Sequence, residues 1–181
     1  MTDKILHTFL ERQYQAGMAL AAASDLFDLV PLAGAPPQKY LARFRCTGLV
    51  QSADGTISEA DDFVAGIWFR DDHLRTKDPL TLVTWMEPRS IIHPNIRAPF
   101  VCLGKVGLGM SLVDIIYQLY EIITYNKVTL ADALNGEAAA WARRNLERFP
   151  VDRRPLKRPL QRRSDGEPAA DASDLDFDIV E

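Results

Sequence analysis

The sequence predicts an α+β domain over residues 1–150: an N-terminal helix, a four-stranded antiparallel meander, a loop around the second cysteine, and C-terminal helices. Three observations predict it. Apolar residues recur at helical spacing at the start of the chain, four apolar runs divided by turn signals follow, and two more helical patterns close the domain. A tail over 151–181 has a different composition and is expected to be disordered in isolation.

Within residues 3–23, Ile5, Phe9, Leu10, Tyr14, Met18 and Ala21 lie near helical spacing, and alanines close the segment. DLFDLVPLAG (25–34) and KYLARFRCTGLV (39–50) read as strands separated by a Gly-Ala-Pro-Pro break. In the second, Tyr40, Ala42, Phe44 and Cys46 share the more apolar face, which makes Cys46 a buried structural thiol. SADGTISEADD (52–62) reads as a turn-rich connection, FVAGIWF (63–69) as the third strand and LTLVTWM (80–86) as the fourth.

After Cys102 the glycine-bearing loop LGKVGLGM leads into SLVDIIYQLYEIIT (111–124). Ser111 and Asp114 fit a capping box there, and Leu112, Ile115, Ile116, Leu119, Ile122 and Ile123 form one stripe. YNKVTLADA (125–133) is a connection in which Thr129 and Asp132 fit as mutual caps of a short turn. NGEAAAWARRNLERF (135–149) reads as a helix capped by Asn135 and stopped by Pro150.

The bulk composition, 47% hydrophobic and 25% charged, is that of an ordinary soluble globular chain. No run approaches the ~18 apolar residues of a membrane span, and the N-terminus lacks a signal peptide's apolar stretch. A cytoplasmic protein with reduced thiols is expected, with no membrane partner. Two widely separated cysteines and the scattered His7, His73 and His93 show neither a disulfide framework nor metal spacing, so neither a metal nor another cofactor is expected. The net charge of −4 divides into +5 over residues 151–163, −7 over 164–181 and −2 over the rest. That balance gives no reason to expect nucleic acid as a partner.

The chemistry-bearing stretch is IIHPNIRAPFVCLG (91–104). A nucleophilic Cys102 needs partial exposure, an open backbone and a group that stabilises developing negative charge. Gly104, Gly107 and Gly109 supply the open backbone, and Asn95, on a loop stiffened by Pro94, supplies an amide donor. The plain alternative is a small thiol in the apolar run FVCL.

The order of helix, four-strand meander, HPNI, short loop, VCL, helix and LNGEAA resembles the ubiquitin-conjugating enzyme family over residues 3–150. The family's motif residues correspond to His93, Pro94, Asn95, Cys102 and Leu134–Ala138, with Gly136 where the family commonly has proline. The resemblance implies the ubiquitin-conjugating enzyme fold with an active-site loop, and a Cys102 that carries a ubiquitin-like protein as a thioester. It implies that Asn95 stabilises the oxyanion, directly or by holding the adjacent loop. His93 is expected to pin the turn rather than act as a base. Asp132 either orients the incoming amine or serves as the cap partner of Thr129.

Departures from the family pattern are equally plain. Only Pro79 remains of the proline stretch before the fourth strand, no Trp follows the cysteine, and the first helix carries only Lys4 and Arg12 as basic residues. These departures are similar to divergent bacterial members from operons with an activating enzyme, a ubiquitin-like protein and a JAB-type peptidase, linked to antiviral (antiphage) defence. The resemblance implies those partners together with a protein target.

Three other readings stay open on sequence alone. GKVGLGMS resembles a phosphate-binding loop, but Met110 stands where the lysine belongs. Cys102 with His93 would serve a hydrolase, although no orienting group is apparent. An inactive relative of the same fold would act as a binding module for a ubiquitin-like protein or another partner. The tail's DLDFDIVE alternates acidic and apolar residues. It reads either as a strand docking the activating enzyme or the ubiquitin-like protein, or as a solvated segment neutralising the arginines before it.

Overall fold

The structure, a computed structural model, describes residues 3–76 and 78–157. In chain order it forms α1 (Lys4–Ala22), β1 (Phe27–Pro31), β2 (Lys39–Phe44), β3 (Gly48–Gln51), β4 (Ile57–Ala60) and β5 (Phe63–Trp68). There follow α2 (Pro79–Leu82), β6 (Val83–Glu87), β7 (Ile96–Arg97), β8 (Phe100–Val101), α3 (Leu112–Ile123) and α4 (Gly136–Arg143). The architecture is α+β, with the N-terminal helix, an antiparallel sheet and further helices in the expected order.

β1, β2, β5 and β6 pair antiparallel as consecutive neighbours, and β8 and β7 extend the sheet beyond β6. Their alternation sends Phe27, Leu29, Tyr40, Ala42, Phe44, Phe63, Ala65, Ile67 and Trp85 to one buried face. α3 covers that face with Ile115, Ile116, Leu119, Ile122 and Ile123, all fully buried. Each such side chain contributes roughly 1.5–3 kcal/mol by leaving water. Ser111 caps α3 as expected: its hydroxyl accepts from the Asp114 N–H at 3.0 Å and donates to the Asp114 carboxylate at 2.7 Å.

Several elements differ from the sequence expectation, each for a local reason. α1 buries Leu6, Leu10, Gly17 and Leu20, whereas Ile5 is 73% exposed and Tyr14 also reaches solvent. Phe9, Met18 and Ala21 pack against the core beside Leu10 as expected, and the contact face widens toward Gly17, where the helix approaches closely: a Cβ there would lie 2.7 Å from both Leu112 Cδ2 and Leu29 Cδ2. The run 39–50 is two strands rather than one. After Phe44 the ladder to β5 ends: Arg45 N–H still bonds its β1 partner, the Leu26 carbonyl, but Thr47 N–H goes to the Asp152 carboxylate, both at 2.8 Å.

β3 then pairs with β4 inside the supposed connection. An Asp54-Gly55 turn closes this hairpin, with the Asp54 carboxylate accepting from Thr56 N–H at 2.9 Å. The expected fourth strand begins as the helical turn α2, with Pro79 in its first turn and Asp78 accepting from Leu80 N–H at 3.2 Å. The last helix is α4 with a short 3₁₀ turn (Leu146–Arg148) beyond it, where Asn145 Nδ2 caps the Trp141 carbonyl at 2.8 Å.

The tail expected from residue 151 starts within the packed domain. Val151 N–H donates to the Thr124 carbonyl at 2.9 Å, Tyr120 OH donates to the Arg154 carbonyl, Ser24 donates to the Leu156 carbonyl, and Leu156 is buried. Burial works against the Asp152 charge, but hydrogen bonds from Arg154 and Thr47 outweigh it and hold its pKa below the usual carboxylate value. Residues 158–181, with the expected DLDFDIVE strand, lie outside the described residues. Among the described residues no helix is long and apolar enough to cross a membrane.

Gly48 marks where β3 presses on the core: a Cβ there would stand 2.6 Å from Phe63 Cζ and 2.9 Å from Ile123 Cγ2, both in fully buried residues. Gly48→Ala is expected to destabilise the chain by about 1–3 kcal/mol through overpacking. Thermal denaturation should show the melting temperature falling by ~2–4 °C per kcal/mol. An unchanged melting temperature would mean that β3 gives way freely.

Candidate active site

The segment after β6 is stitched first to the β3–β4 hairpin. Gln51 N–H donates to the Ser90 carbonyl at 2.8 Å, and Ile92 N–H donates to the Leu49 carbonyl at 3.0 Å. This seats His93 in the interior with no exposed surface. The chain then turns through Pro94 into the β7–β8 hairpin, whose pairs are Ile96 with Val101 and Arg97 with Phe100. The next rung of that register joins Asn95 to Cys102. The seven-residue spacing between them is thus the register of a tight hairpin.

That rung is unusual. Cys102 N–H donates to the Asn95 carbonyl at 2.8 Å, as an antiparallel pair requires. The reciprocal donor, Asn95 N–H, instead goes to His93 Nδ1 at 3.0 Å. The Asn95 side chain takes its place, with Nδ2 donating to the Cys102 carbonyl at 3.0 Å. The same carboxamide reaches the far side of the site: Nδ2 also donates to Thr129 Oγ1 at 3.0 Å, and Oδ1 accepts from Thr129 N–H at 2.9 Å. Both amide hydrogens are therefore in use. Asn95 holds Cys102 and the 129 segment together and keeps no free donor in this arrangement.

His93 is fixed by the same contacts. Because Nδ1 accepts from Asn95, the ring is assigned as neutral with its proton on Nε2. Burial pushes its pKa down to about 3, and the Lys127 backbone pulls weakly the other way without making a full hydrogen bond to Nε2. A general base needs an accessible lone pair, and His93 has none, so the cysteine–histidine hydrolase has no base here. Its ring packs edge-on against Tyr125 at 4.4 Å, and Tyr125 stacks on Phe149 at 4.4 Å. Tyr125 follows α3 with φ of 60°, a left-handed conformation rare for an aromatic residue. The two ring contacts and its hydroxyl bond to the Ile92 carbonyl hold it there.

Cys102 is half-buried, while Cys46 is fully buried and burial pushes its thiol pKa up to about 12. The two thiols are thus distinct in access. Lys127 Nζ donates to the Leu103 carbonyl at 2.6 Å and to Gln118 Oε1 at 3.0 Å, fixing the chain just beyond Cys102. Asp132 is exposed and makes no hydrogen bond or ion pair among the described residues. The expected Thr129–Asp132 cap is not formed, because Asn95 occupies Thr129. The segment carrying Asp132 is tied at both ends to the His-Pro-Asn turn, by Thr129 to Asn95 and by Asn135 N–H to the Pro94 carbonyl at 3.0 Å. Asn135 also caps α4 through Ala138 N–H at 3.1 Å, as expected.

The phosphate-loop alternative finds two donors of the helix turn that would follow the loop already occupied. Leu112 N–H donates to Gln13 Oε1 at 2.8 Å and Asp114 N–H to Ser111, and Asp114 adds negative charge to that helix turn. Among the described residues no group of three or more His, Cys, Asp or Glu side chains could hold a metal ion. Tyr125, Lys127 and the Thr129–Asn95 bond escape sequence reading. Their only trace is the polar YNKVT following an apolar helix. No protein-family model matches the chain, and no curated protein matches it in sequence.

His93 carries a pH dependence. The unfolded chain protonates it near the ordinary value of about 6.5, while the folded ring resists protonation down to about 3. The stabilisation is complete above about pH 6.5 and is lost as pH falls toward 3, because in that window the unfolded state binds the extra proton. Urea unfolding should therefore show roughly 1 kcal/mol less stability at about pH 5.5 than at about pH 7. His93→Gln should flatten that difference. A wild-type slope equal to that of His93→Gln would contradict the assignment.

Proposed function

We propose that this chain has the ubiquitin-conjugating enzyme fold and acts as a ubiquitin-conjugating-type transferase. It accepts a ubiquitin-like protein as a thioester on Cys102 from an activating enzyme and passes it to an amine, a lysine of a protein target. The observation that carries this reading is the rung pairing a half-buried Cys102 with Asn95, beside a segment that presents an unpaired Asp132.

The chemistry needs no cofactor. Cys102 thiolate attacks the activating enzyme's thioester, and the enzyme's thiolate leaves. The target amine then attacks the new thioester carbonyl, negative charge builds on oxygen, and the C–S bond breaks as the amide forms. Asn95 contributes by holding the backbone around the thiol rather than by donating directly, since its donors are engaged. Asp132 receives the incoming ammonium and draws its proton away. His93 stays neutral and supports the turn. The composition suggests a cytoplasmic setting, and the resemblance implies a JAB-type peptidase in the same pathway and a role in antiviral defence.

One observation favours the alternative, a catalytically inactive relative that binds a ubiquitin-like protein or another partner. Asn95 has no amide hydrogen left for an oxyanion.

Intact mass after incubation with ATP, the cognate activating enzyme and its ubiquitin-like protein separates the two. Wild type and Cys46→Ser should gain one modifier, released by thiol reductant; Cys102→Ser should gain none or a reductant-resistant adduct. No adduct on any variant, with the activating enzyme itself charged, would contradict the transferase and favour the binding module. An adduct that follows Cys46 would overturn the site assignment.

A further inference from the structure

The first turns of α1 carry an apolar surface that the core does not use. Ile5 is exposed there, and a groove of about 570 Å³ is lined by Ile5, Phe9 and Leu74 together with Lys4 and Arg12, and by no acidic residue. A Cβ at Gly109 would lie 3.3 Å from Leu74 Cδ2, so the exposed Leu108 beside it continues the apolar surface into the loop that follows Cys102. Neither Lys4 nor Arg12 makes a side-chain hydrogen bond or ion pair among the described residues. Such a surface fits a partner that is both apolar and acidic. The chain carries that chemistry itself in DLDFDIVE (174–181), where Asp174, Asp176 and Asp178 alternate with Leu175, Phe177 and Ile179.

We propose that this groove is the docking site of the chain's own 174–181 segment. Leu175, Phe177 and Ile179 lie on Ile5, Phe9, Leu74 and Leu108, and the long stems of Lys4 and Arg12 reach up to the aspartates on the segment's other side. The spacings agree: Lys4 and Arg12 are eight helical residues apart, about 12 Å, and Asp174 and Asp178 are four extended residues apart, about 13 Å. The described chain also ends in the right place. Ser24, just beyond the end of α1, holds the carbonyl of the buried Leu156. From there the groove at Phe9 lies about 20 Å back along the helix, and the 18 residues from Lys157 to Leu175 reach up to about 60 Å. Tethering favours this segment over a separate acidic chain of the same chemistry. The outer face of the sheet is the poorer match, because Arg43 and Arg45 there are already paired with Asp62 and Asp28. The docked segment covers α1 and Leu108 together, so a partner that needs either surface must displace it. The inference is independent of the chemistry assigned to Cys102.

The test is zero-length carbodiimide crosslinking of the full chain, with peptide mapping of an equal mixture of ¹⁴N and ¹⁵N protein. Wild type should give a product one water lighter that joins Lys4 to Asp174, Asp176 or Asp178 within one isotopic species. Leu175→Ser/Phe177→Ser keeps every acid and alters nothing before residue 158, and it should lower the yield of that link at least about fivefold. Equal yields in the two proteins would overturn the proposal, by reducing the link to chance encounter of opposite charges. Links found only between isotopic species would overturn it by seating the segment on a second copy. Links from these acids to Lys39 or Lys157 alone, or no link at all, would overturn the groove as the site.

Discussion

The Asn95 carboxamide is the constraint on which the site depends. Its backbone N–H serves His93, its side chain replaces that N–H in the rung to Cys102, and its remaining groups hold Thr129. Each net hydrogen bond is worth only about 1 kcal/mol, but a buried partner left unsatisfied costs about 1–3 kcal/mol. Losing this one side chain would strand the Cys102 carbonyl and the Thr129 N–H together. Asparagine suits the position because it is short and carries both two donors and an acceptor. Aspartate would bring acceptors only, facing the Cys102 carbonyl.

The rest of the architecture serves that bridge. The β3–β4 hairpin supplies the edge on which residues 90–92 lie. α3 ends so that Tyr125 can lean on His93, and Phe149 closes the stack behind it. The chain from 151 to 157 returns to Thr47, Thr124 and Ser24, covering the buried Cys46 side of the sheet. The consequence is a division of labour between two thiols. Cys46 is locked in the interior beneath Asp152 and Arg154, while Cys102 sits half-covered at the mouth of a hairpin.

Much of the frame was legible because local rules and tertiary packing agree there. Period-two alternation located β2 and the buried Cys46, and the Ser111 and Asn135 caps located the starts of α3 and α4. The α1 stripe was legible at Phe9, Leu10, Met18 and Ala21, which pack on the core, but not at Leu6, Gly17 and Leu20; Gly17 has no side chain to count as apolar, although its bareness is what lets the helix pack. β3 and β4 were missed because Gly48–Val50 continues the apolar run of β2, and the break between β2 and β3 depends on the Thr47 donor claimed by the distant Asp152. The charged composition of 151–157 concealed Leu156 and a satisfied Asp152. At the site, the motif named His93, Asn95 and Cys102, but not how Asn95 is used. Thr129 invites pairing with Asp132 three residues on, and only the fold shows that Asn95, 34 positions away, takes it instead.

The most direct test of this account is amide hydrogen exchange on the full chain, comparing wild type with Asn95→Ala. If Asn95 is the clamp, peptides covering residues 101–104 and 127–135 should lose protection together, while those of β2 and β5 keep wild-type exchange. Faster exchange confined to the β7–β8 hairpin, with 127–135 unchanged, would contradict it.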